Sequence, residues 1–81
     1  MTQMKEPVEF LVMPQPGIGI SRLRETLESH IEGLEFLRTI PFSCVRYRAE
    51  RDVFERLQRT YEQQYGEIIA AIQRAQFKPS L

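Results

Sequence analysis

Strand-like and helix-like apolar spacing alternate along the chain in a fixed order, and that order restricts its folds more than any other feature. Residues 8 to 13, "VEFLVM", form a short apolar run stopped by Pro14, as a buried strand does. "PQPGIG" follows, where Pro14 and Pro16 limit the backbone and Gly17 and Gly19 permit positive φ. Ser21 is placed to cap a helix with its hydroxyl. Ile20, Leu23, Leu27, Ile31 and Leu34 then recur at three- and four-residue steps, one apolar stripe along residues 21 to 32. Gly33 is the expected stop, because the residue past a helix end favours left-handed geometry.

"LEFLRTI", residues 34 to 40, reads as a second strand and "FSCVRYR", residues 42 to 48, as a third. The short link at Pro41 favours an antiparallel hairpin. On the third strand Ser43, Val45 and Tyr47 share one face, and Phe42, Cys44, Arg46 and Arg48 share a wetter one. From about Glu50 the spacing of Val53, Phe54, Leu57, Tyr61 and Tyr65 is helical, with Arg51, Glu55 and Arg59 at i, i+4 on the outer side.

The last stretch, "EIIAAIQRAQFKPSL", leaves two architectures open. If Gly66 ends the helix, residues 67 to 74 add a fourth strand, giving an α+β, ferredoxin-like β-α-β-β-α-β sandwich. If the helix continues to about residue 76, the order is β-α-β-β-α with one long C-terminal helix. Alanines, Gln73 and Arg74 favour the helix, whereas a fourth strand pairs a sheet edge otherwise left open. The four-stranded order is the primary expectation, with residues 75 to 81 as an extended tail.

Eighty-one residues make a single small domain over residues 1 to 81. Eleven basic and eleven acidic side chains cancel, which argues against non-specific nucleic-acid binding. Cys44 is the only cysteine, so no internal disulfide forms and a reducing, cytoplasmic setting is the simpler expectation. No apolar run reaches the length of a membrane span, and the first ten residues lack the pattern of a secretion signal.

Catalytic chemistry finds no constellation here. His30 stands alone, suited to a helix C-terminal turn and not to a metal site. Cys44 has no base in its sequence neighbourhood, and no serine sits in a nucleophile elbow. "GIGIS" opens a helix after a strand but lacks both the third glycine of a dinucleotide fingerprint and the Lys-Ser/Thr of a P-loop. The expectation is therefore a protein that is not an enzyme and needs no cofactor or metal. What remains are surfaces: Phe42, Cys44 and Arg46 projecting from the sheet face away from the helices form a candidate docking patch.

The order of elements, "VEFLVMP" as opening strand, "FSCVRYRAERDVFERL" as third strand running into second helix, and "IIAAIQRAQFKPSL" as last strand and tail resemble the propeptide-like inhibitors of subtilisin-type serine proteases. That resemblance, over residues 8 to 81, implies a ferredoxin-like inhibitor or folding chaperone. The sheet's outer face would dock on the protease, and the tail Phe77, Lys78, Pro79, Ser80 and Leu81 would lie in the active-site cleft, with Leu81 in the primary specificity pocket. Main-chain pairing of such a tail supplies affinity and alternate side chains supply specificity. The chain is similar also to the RNA-recognition motif, with Phe42 and Phe10 as stacking aromatics and Val45 and Tyr47 as core positions. There Ile40 and Cys44 depart from the signature. A third reading is a small homo- or hetero-oligomerising adaptor subunit.

Overall fold

A computed structural model describes residues 6–41 and 43–75. Its elements run β1 (Pro7–Pro14), α1 (Ile20–His30), β2 (Glu35–Ile40), β3 (Cys44–Glu50), α2 (Arg51–Gln64) and β4 (Ile69–Arg74). The four strands form one sheet in the order β2-β3-β1-β4, every neighbouring pair antiparallel. The primary expectation of a four-stranded α+β arrangement holds at this level, and the long C-terminal helix does not form.

The sheet has two unlike faces because its strands alternate. Val8, Phe10 and Val12 of β1 and Val45, Tyr47 and Ala49 of β3 point to one side, where Leu23 and Leu27 of α1 and Phe54 and Leu57 of α2 meet them. Phe10 lies at the centre, with ring centroids 5.0 Å from Phe54 and 6.1 Å from Tyr47. Each fully buried side chain of this size contributes roughly 1.5–3 kcal/mol. Ile18, Ile20, Ile31 and Leu34 close the core at its borders, so the apolar stripe read along the first helix packs as expected.

The chain turns from helix to strand around Gly66. The Tyr65 N–H bonds the Tyr61 carbonyl as the last helical contact, and the N–H groups of Ile68 and Ile69 then turn back to the Tyr65 carbonyl. A Cβ on residue 66 would stand 2.4 Å from the backbone oxygen of Glu62, so only glycine passes this corner undisturbed. Gln15 pins the corner from β1's end: its side-chain amide donates to the carbonyls of Gly66 at 3.0 Å and Ile69 at 3.2 Å.

Some local expectations shift. Helix α1 is capped at Gly19 with no side-chain hydrogen bond, so Ser21 lies inside the first turn and does not cap it. The chain leaves α1 at Ile31 in extended geometry, and Gly33 takes φ +89° in the turn beyond. Ser43 belongs to the β2–β3 turn, its N–H bonding Ile40, and β3 begins at Cys44. The Arg51–Glu55 pair forms on α2 at 3.1 Å.

Gly66→Ala is expected to lower stability by about 1–3 kcal/mol, because the added methyl meets backbone and not a flexible side chain. Urea titration followed by circular dichroism, with exposed Gln63→Ala as control, measures it; equal midpoints for the two variants would contradict this account of the corner.

Candidate functional site

Both helices pack on the Phe10 side, and among the described residues no helix lies on the other face of the sheet. Strand register arranges that open face in three rows. Ile40 is opposite Cys44 and Met13 opposite Ala71, Arg38 is opposite Arg46 and Leu11 opposite Gln73, and Glu35 is opposite Arg48. Arg46 donates through Nε to Glu9 at 2.9 Å and Arg48 through Nη2 to Glu35 at 2.6 Å. Both pairs are partly exposed and screened by solvent, so they add little to stability. The result is an apolar band of Leu11, Met13 and Ile40 edged by ion pairs.

Of the residues predicted for docking, Arg46 lies on this face, half-buried. Cys44 lies there too but is only 4% exposed, so it belongs to the floor of the face and not to its contact surface. Phe42 and the tail residues Phe77, Lys78, Pro79, Ser80 and Leu81 fall outside the described residues. Phe10 is fully buried on the helix side and cannot stack a base, which removes one aromatic platform from the RNA-recognition reading. Val45 and Tyr47 occupy the core, as that reading and the helix packing both require.

Sequence spacing missed a polar network beneath the sheet's other side. The Tyr47 hydroxyl donates to Glu28 Oε2 at 2.9 Å, Arg24 Nε donates to the same oxygen at 2.8 Å, and the Arg24 guanidinium lies 3.5 Å over the Phe36 ring. This chain ties α1 to β2 and β3 at a place where a buried hydroxyl would otherwise be unpaired. The i, i+4 spacing of Arg24 and Glu28 was visible, but the partner on β3 was not. Burial first, and then the Glu28 carboxylate, push the Tyr47 pKa up. The hydrogen bond from Arg24, reinforced by Tyr47 against partial desolvation, holds Glu28 below its ordinary value.

The helix side carries a groove of about 500 Å³ lined by His30, Val53, Leu57 and Tyr65. The His30 Nδ1–H donates to the Thr26 carbonyl at 2.7 Å, the C-terminal-turn role expected for it. Cys44 lies on the sheet's other face, so these two do not form a nucleophile–base pair. Among the described residues no three His, Cys, Asp or Glu side chains gather to hold a metal ion, and no helix is long and apolar enough to cross a membrane. Around Gly17 and Gly19 a cleft of about 610 Å³ opens between the β1–α1 loop and the β2–β3 turn, mostly apolar and without convergent charge. No protein-family model, curated protein or solved structure matches the chain.

The depressed Glu28 pKa makes a signed prediction. Stability from the network is fully present above the ordinary carboxylate value and is lost as pH falls through the lower folded value. Acid titration of the urea midpoint is expected to fall more steeply for the wild-type chain than for Glu28→Gln. Parallel curves would place the acid sensitivity elsewhere. Tyr47→Phe is expected to cost about 0.5–1.5 kcal/mol at neutral pH.

Proposed function

We propose that the chain is a non-enzymatic protein-binding module that docks through the open face of its sheet. The observation that carries this reading is the apolar band of Leu11, Met13 and Ile40, framed by ion pairs and left uncovered by both helices. Protein interfaces join an apolar centre to a polar rim, the arrangement that this face offers.

The element order and the sheet order β2-β3-β1-β4 support a ferredoxin-like sandwich. Within that fold the most concrete form of the module is a propeptide-like inhibitor or folding chaperone of a subtilisin-type serine protease, acting in the cytoplasm. Size argues for a second contact beside the face. Four strands at ~4.8 Å and six residues at ~3.3 Å give a face of roughly 400 Å², and stable interfaces bury about 800 Å² per partner. The segment after β4 is suited to supply the remainder. Ala75 still bonds the Glu9 carbonyl at 2.9 Å, which carries the pairing of β4 with β1 one residue further.

Titration of a panel of subtilisin-type proteases with the chain tests this directly. Tight, saturable inhibition is expected, weakened about a hundredfold or more by deleting residues 77 to 81. Unchanged proteolysis at saturating chain would end the inhibitor reading.

A further inference from the structure

Strand β2 carries one residue too many for its partner. Glu35 and Phe36 pair with Arg48 and Tyr47, but the next pairs are Arg38 with Arg46 and Thr39 with Val45, so Leu37 is bulged out of register. Without that extra residue Leu37 would stand opposite Arg46, and Arg38 would turn to the helix side opposite Val45. The bulge therefore sets Arg38 on the open face directly across from a second arginine.

Like charges directly opposite on neighbouring strands destabilise a sheet. Arg46 is compensated by Glu9. Arg38 is exposed and makes no ion pair among the described residues, and Ile40, Cys44 and Leu11 border the arginine pair. The neighbouring cross-strand pair on the same face, Glu35 with Arg48, shows the arrangement that folding alone favours. A small domain thus keeps an uncompensated positive charge beside its apolar band.

We infer that Arg38, held beside Arg46 by the bulge at Leu37, receives a carboxylate of a protein partner whose neighbouring side chains are apolar and cover Leu11, Met13 and Ile40. This rests on the reading of the open face as a docking surface and adds the chemistry of its occupant. Planar guanidinium groups take a carboxylate in a forked geometry, and a desolvated, apolar rim strengthens that bond. An RNA strand fits less well, because the face lacks stacking aromatics among the described residues and its other two arginines are already bonded to carboxylates.

The test is the single substitution Arg38→Glu. It places an acid opposite Arg46, so the variant is expected to melt a few degrees higher than the wild-type chain. Random twelve-residue peptides displayed on phage are the probe, selected on each immobilised chain. Wild type is expected to enrich Asp or Glu flanked by apolar residues, and Arg38→Glu to lose that enrichment and bind the selected peptides about tenfold more weakly or worse. Selections without acidic enrichment, or with enrichment that survives Arg38→Glu, would overturn the inference. So would tighter, salt-sensitive binding of a single-stranded RNA twelve-mer that depends on Arg38. Protease inhibition untouched by Arg38→Glu would remove the carboxylate site and leave the inhibitor reading standing. Acidic peptides selected by a chain that inhibits no protease would do the reverse.

Discussion

Strand β1 is hydrogen-bonded along both of its edges, to β3 on one side and β4 on the other, and its side-chain alternation decides what each face of the domain becomes. Val8, Phe10 and Val12 face the helices and are almost fully buried, while Glu9, Leu11 and Met13 face the other way. A slip of one residue would exchange the two sets, placing Glu9 in the core. The core therefore fixes the register, and the register in turn assembles the apolar band and the Arg46–Glu9 pair on the open face. Open face and core are both set by the alternation of one strand.

The edges of the sheet show the same economy of means. Extra residues interrupt β2 at Leu37 and β4 near Ala70, where pairing shifts between Met13 and Pro14. Bulges at edges twist the free backbone groups away from further strand pairing, which protects a small sheet from adding copies of itself. At Leu37 the bulge has a second effect, because it chooses which side chain reaches the open face.

Much of this was legible in the sequence, for physical reasons that differ by element. The stripe of Leu23 and Leu27 and that of Phe54 and Leu57 follow the helical period closely enough to declare both helices and their buried sides. β1 was readable from Pro14 and the compact run before it. β4 was harder, since Ala70, Ala71 and Gln73 suit a helix; the turn needs a residue without Cβ at Gly66, and the strand beyond it pairs with β1, neither of which propensity contains. The helix cap misled because a serine near a helix start is a common cap, yet Gly19 takes that position with ordinary φ. Alternation put Arg46 and Cys44 on the face away from the core, where both lie, but Cys44 is buried there. Arg38 was invisible, because a bulge is a property of two strands in register and not of either sequence alone. The Tyr47–Glu28 bond was hidden likewise, joining residues nineteen apart in sequence.

One face of this sheet is packed against the helices and the other carries the apolar band away from them. Attenuation of methyl NMR signals by a soluble paramagnetic probe measures this most directly. Strong attenuation is expected at Leu11, Met13 and Ile40, and little at Val12, Val45, Leu23 and Leu27. Equal protection of the two groups would mean that something covers the open face, and the surface described here would not exist in the free protein.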